Sequence, residues 1–203
     1  MIQVISFDIG IRNFAYCILH VFPNESPPKV HQLEVVDLGC SKNNKQAAID
    51  AILDLLDEIV FHQLDLTKPI VVLIEQQMTA TMKAIQVAIN VFFKMTAKYQ
   101  TVDLTTKYLS AKHKLALRSK FPEYNETNDS ENVATTKYKQ NKKDGIHFGL
   151  WCLQEILQDS ENYQKVVAMK KKDDACDTLL MCMYYYTTLS TTLSTTLVAT
   201  NSN

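Results

Sequence analysis

Apolar and β-branched residues dominate Ile2 to Phe7 and again Phe14 to Phe22, with the polar break Asp8-Ile9-Gly10-Ile11-Arg12-Asn13 between them. Val30 to Leu38 alternates apolar and polar positions. Three such runs with short connections predict an antiparallel meander. Lys42 to Leu64 carries Ile49, Ile52, Leu53, Leu56, Ile59 and Val60 at helical spacing, with Asp50, Asp54, Asp57 and Glu58 as its solvated face. Pro69 to Ile74 is continuously apolar and ends in Glu75-Gln76-Gln77, the pattern of a central strand buried on both faces. Met78 to Lys98 is helical and apolar around more than one stripe, which predicts burial on two sides. Two readings fit that pattern, a central core helix and a helix with one side on the sheet and the other at a subunit interface. Ile89 and Phe92 are the test positions for the interface.

Thr101 to Leu104 is a candidate fifth strand, Pro122 to Asn132 a polar loop without period, and Asp144 to Gln158 a helix. A last helix follows Lys170-Lys171-Lys172 and runs to about Tyr186. The expected architecture is α/β, with a central mixed five-stranded sheet flanked by helices and contained in residues 1–186. Residues 187–203 repeat Thr-Thr-Leu-Ser without charge. They read as a low-complexity, frayed or disordered tail.

Composition changes this picture little. The 203 residues carry a net charge of −1 and are 46% hydrophobic, which fits one sizeable domain. Five cysteines without a CxxC pair argue against zinc and against a disulfide framework. With no leader pattern and no apolar span of about 18 residues, the expectation is a soluble intracellular protein. Charge is uneven, however. Residues 105–172 hold 13 of the 21 Lys and Arg against 8 acids, whereas residues 1–104 hold 8 basic residues and 11 acids. The first basic segment contains Lys112 and Lys114, and the second runs from Lys137 through Lys139 to Lys142 and Lys143. Two such runs, one with an internal aromatic, suit contacts to a phosphate backbone, although basic runs also serve as plain solvated faces.

Candidate chemistry lies in carboxylates at element ends. Asp8 closes the first strand and Glu75 the buried one. Asp174 and Asp177 share one face at the start of the last helix. Taken singly, Asp8 would serve as a turn cap, and Asp174 as a charge favourable to the helix dipole. Taken together, if the first and fourth strands are parallel neighbours, the four acids converge. Their mutual repulsion then calls for divalent cations. Oxygen-only donors select Mg²⁺ or Mn²⁺, and two ions about 4 Å apart support phosphodiester hydrolysis.

Ser6-Phe7-Asp8-Ile9-Gly10-Ile11-Arg12-Asn13-Phe14-Ala15, Ile74-Glu75-Gln76-Gln77 and Lys171-Lys172-Asp173-Asp174-Ala175-Cys176-Asp177 together resemble the RuvC-like Holliday junction resolvases, most closely the poxvirus type and also the fungal mitochondrial resolvases. The resemblance implies an RNase H-like fold, a homodimer, a viral origin for the poxvirus type, and symmetric nicking of four-way DNA junctions with two Mg²⁺ ions per site. It assigns the metal to Asp8, Glu75, Asp174 and Asp177, leaves Asp173 outside the motif, and places a catalytic basic residue at Lys142 or, preferentially, Lys143. Lys112, Lys114, Lys137, Lys139, Lys142, Lys143, Lys171 and Lys172 would then hold DNA. Two other readings stay open: an RNase H-fold nuclease for other branched or hybrid substrates, and a nucleic-acid-binding relative that does not cut.

Overall fold

The computed structural model describes residues 1–23, 27–41, 44–110, 112–127 and 137–200. Five strands form one sheet: β1 (Ile2–Asp8), β2 (Phe14–Val21), β3 (Lys29–Val36), β4 (Ile70–Glu75) and β5 (Leu104–Leu109). Their order across the sheet is β3-β2-β1-β4-β5. The first three strands pair antiparallel, and β4 and β5 add in parallel on the other side of β1. This is the expected mixed sheet. The hairpin between β1 and β2 turns tightly at Gly10, where a Cβ would lie 2.6 Å from the Asn13 carbonyl oxygen.

Because successive side chains of a strand face opposite ways, β1 and β4 feed two cores. Ile5, Phe7, Val72 and Ile74 pack with Ile52, Leu56, Ile85, Ile89 and Phe93 from helices α1 (Lys45–His62) and α2 (Ala80–Gln100). Val4 and Leu73 face the other way, into a cluster with Phe148, Leu153, Leu179, Leu180 and Met183. That second layer comprises α3 (Lys112–Leu117), α4 (Pro122–Thr127), α5 (Lys137–Trp151), α6 (Ser160–Ala168) and α7 (Lys172–Thr200). Helix α7 is tied to the sheet by the buried Ser6 Oγ, which donates to the Thr178 carbonyl oxygen at 2.7 Å. Helices α5 and α7 approach closely at Gly149, where a Cβ would stand 2.7 Å from both Cβ and Sγ of Cys176.

Several local expectations shift. The fifth strand lies beyond Thr101–Leu104: Thr101 is the left-handed cap of α2 at φ 54°, and β5 starts at Leu104. Residues Pro122–Thr127 form a short helix rather than a loop, since proline's fixed φ suits a first helical turn; the rest of that predicted loop lies outside the described residues. The helix expected from Asp144 begins earlier, at Lys137, so the second basic run forms the first half of α5. Residues Cys152–Ile156 then widen into a π turn. Helix α7 continues to Thr200, through most of the Thr-Thr-Leu-Ser tail. The five cysteines are free thiols, four of them buried. Among the described residues, no helix is long and apolar enough to cross a membrane.

Candidate active site

Strand register alone places the first two carboxylates. Phe7 pairs with Ile74 in the parallel β1–β4 ladder, so the next residues, Asp8 and Glu75, leave the sheet side by side. Alternation turns both toward α7, on the face of Ser6 and Leu73. Asp177 lies on α7 one residue before Thr178, whose carbonyl is held by Ser6. The third acid therefore comes down over the ends of the strands.

Between these acids lies Lys114 of α3. Its Nζ donates to Glu75 Oε1 at 2.9 Å and to Asp177 Oδ2 at 2.9 Å. Gln77 Nε2 donates to the other Glu75 oxygen at 3.3 Å. The electrostatics follow from burial and these contacts. Burial, then the charge of Glu75, pushes the Asp8 carboxyl up to about 9, against the pull of Lys114. Burial also works against ionisation of Glu75, but its hydrogen bond with Asp8 and the ammonium of Lys114 outweigh that and hold it below the usual range. Asp177 is raised by burial, which Lys114 only partly offsets. Lys114 loses solvation through burial, yet Asp177, Glu75 and Asp8 hold its proton above the ordinary lysine value. Asp8 thus holds its proton far more tightly than Glu75 does, and the ammonium of Lys114 is shared between Glu75 and Asp177.

Asp174, one turn before Asp177, is half-buried and raised to about 6 by burial and by Asp173, with Lys171 and Lys142 pulling the other way. Asp173, expected to stand outside the site, forms an ion pair with Lys142 of α5. Burial opposes ionisation of Asp173, but that ion pair prevails and lowers its carboxyl. Lys143 projects from the exposed side of α5 and makes no ion pair among the described residues. The basic residue that the structure brings between the carboxylates is Lys114, which the sequence reading placed only against DNA. The available signal was Leu117, three residues on and fully buried, because positions i and i+3 share a helix face. Lys112 and Lys139 are exposed, and Lys171 and Lys172 half-buried; the Lys137 side chain lies outside the described residues.

The donors are all oxygen, which suits a hard divalent cation. Among the described residues no three His, Cys, Asp or Glu side chains are already gathered around a common metal position; the ammonium of Lys114 instead holds Glu75 and Asp177 apart.

Residues 4–96 match the family model of mitochondrial resolvase Ydc2 / RNA splicing MRS1. No curated protein matches the sequence. The structure is similar to the fowlpox virus resolvase solved in complex with substrate Holliday junction DNA, at 16% identity and a TM-score of 0.58, covering 92% of this chain and 98% of that one. It is also similar to Thermus thermophilus RuvC, at 15% identity and a TM-score of 0.54 over 93% and 97% of the two chains. The same enzyme in complex with a Holliday junction substrate matches at 12% identity and a TM-score of 0.51, over 91% and 94%. The chain therefore has the RNase H-like fold of the RuvC-type resolvases, and its residues 4–96, which carry Asp8 and Glu75, resemble the mitochondrial resolvase family.

Proposed function

We propose that this protein is a divalent-metal-dependent endonuclease that nicks four-way DNA junctions as a homodimer. The observation that carries the reading is the meeting of Asp8, Glu75 and Asp177 around Lys114 at the carboxyl edge of parallel strands. Three acids and a lysine collected from four distant segments are costly to bury, and structural support alone does not require them. Asp8, Glu75, Asp174 and Asp177 would hold Mg²⁺ or Mn²⁺. When bound, such ions activate a water and neutralise charge on the leaving oxygen of a phosphodiester.

The chain's own groups then have distinct tasks. Asp8 and Glu75 are fixed by the sheet and cannot drift apart. Asp177 is set by α7. Lys114, which bridges Glu75 and Asp177, would donate to a phosphate oxygen if one of those carboxylates were engaged elsewhere. A positive charge at that oxygen stabilises the charge that develops during displacement. Lys112, Lys139, Lys142 and Lys143 provide sequence-independent attraction for the junction arms. The homodimer reading is supported by an apolar stripe on α2, in which Val87, Val91, Met95 and Tyr99 are exposed together with Phe61 of α1. The interface positions expected from sequence need correcting: Ile89 is fully buried in the core and so unavailable to a partner.

The test is cleavage of a labelled four-way junction against linear duplex and RNA/DNA hybrid, in Mg²⁺ and in EDTA. Junction nicking in Mg²⁺ that disappears in EDTA and in Asp8→Asn and Asp177→Asn variants is the expected result. Equal cutting of linear duplex would remove the junction selectivity, and cutting by Asp177→Asn at the wild-type rate would remove the site. The matching family model also carries the name of an RNA splicing protein, which favours one second reading, a relative that binds structured nucleic acid without cutting. Tight binding with no metal-dependent product would identify it.

A further inference from the structure

Beside the carboxylates lies a cavity of about 930 Å³ whose lining includes Arg12, Asn13, Asp37, Thr79, Lys170 and Lys171. Three segments that supply site carboxylates continue into it. The turn after Asp8 brings Arg12 and Asn13, the loop after Glu75 brings Thr79, and the turn before Asp174 brings Lys170 and Lys171. Arg12 is held there by the tight turn at Gly10, which leaves no room for a Cβ. Arg12 and Lys170 are exposed, Lys171 is half-buried, and none of the three makes an ion pair among the described residues. The acid in the lining, Asp37, accepts the Gly39 backbone N–H at 3.0 Å. With three cations against one carboxylate, the lining carries a net positive charge, and it adjoins a negative site.

We propose that this cavity seats the phosphodiester backbone of the nucleic acid next to the bond held at the carboxylates, with Arg12 as the principal phosphate ligand and Lys170 and Lys171 beside it. The assignment rests on the nuclease reading and adds to it the track of the strand that is cut. Acids that approach a phosphodiester repel its neighbouring phosphates, so a strand stays in place only if cations flank the site. The guanidinium fork of Arg12 matches two phosphate oxygens at once, which an ammonium cannot do. Backbone contacts of this kind position the strand without reading its bases.

The experiment measures anisotropy of a labelled four-way junction in EDTA across a salt series, for wild type, Arg12→Gln, Arg12→Lys and the Arg12→Gln/Lys170→Gln pair. Urea midpoints establish that each variant is folded. Each lost duplex phosphate contact lowers the slope of log K against log salt by about 0.9. Arg12→Gln should therefore lower the slope by about 0.9 and the pair by about 1.8, while Arg12→Lys keeps the slope and loses affinity only through the fork. An unchanged slope in the folded double variant overturns the seat and leaves the nuclease reading standing if the wild type still nicks junctions. A wild type that neither binds nor nicks a junction overturns both.

Discussion

Lys114 gives the sharpest test of the site. Its side chain is 9% exposed, Glu75 is 14% exposed and Asp177 36%, so Lys114→Met keeps the apolar stem in place and deletes a cation that two carboxylates share. Removing one member of a buried ion pair costs about 3–5 kcal/mol, because the partner is left as an uncompensated charge. Asp177 is a third exposed and partly screened by water, which argues for the lower end, about 3 kcal/mol. For a chain of this size that corresponds to a fall in Tm of about 6–12 °C. Thermal melts in EDTA measure it. The same variant should recover part of the loss in Mg²⁺, because the freed carboxylates then hold a cation in place of the ammonium. A ligand at one hundred times its Kd returns about 2.7 kcal/mol. Wild type should gain less, since there the ion competes with Lys114. Lys143→Met, on the exposed side of α5, should stay within about 0.5 kcal/mol of wild type. Equal melting of Lys114→Met and wild type in EDTA would refute the bridging role.

Three other outcomes follow from particular contacts. Val91→Glu with Met95→Glu, at exposed positions of α2, should convert a dimer into a monomer by light scattering and leave the melt unchanged; a variant that stays dimeric removes that stripe from the interface. Gly149→Ala forces a Cβ to within 2.7 Å of Cys176, and such overpacking should cost about 1–3 kcal/mol in urea denaturation; a neutral substitution would mean that α5 can slide along α7. His20 stacks on His31 with ring centroids 4.5 Å apart, and burial, then the charge of His31, lowers its pKa from the ordinary 6.5. In acid the unfolded chain takes up that proton first, so the stability linked to His20 is intact above about pH 6.5 and lost as pH falls through its folded value. His20→Gln should flatten the acid limb of the stability profile between pH 7 and 5, and an identical limb would show that His20 does not contribute.

Hydrophobic period carried much of this protein's architecture. The apolar run Pro69 to Ile74 is legible as a doubly covered strand, because burial on two faces leaves no polar alternation, and the run before Asp8 as another strand. That the two are parallel neighbours is set by the sheet. The ends of those runs locate Asp8 and Glu75. Helical spacing likewise marks α1 and α2, whose inward residues Ile52, Leu56, Ile85, Ile89 and Phe93 are fully or almost fully buried. Period is a local signal, however, and reports that a side is buried without reporting against what. It did not separate the core stripe of α2 from its exposed one. Nor did it place β5, a strand at the edge of the sheet whose middle residues Thr105, Thr106 and Lys107 are all polar and give no alternation to read. Asp174 and Asp177 were legible as a pair on one face of a helix, but Asp173 acquired a partner only when α5 packed against α7. The role of Lys114 was least legible of all. A lysine in a basic run looks the same whether it faces water or a carboxylate 39 positions away. Only the docking of α3 and α7 over the strand ends puts that ammonium between Glu75 and Asp177, since Coulomb energy depends on distance in space and a sequence records distance along the chain.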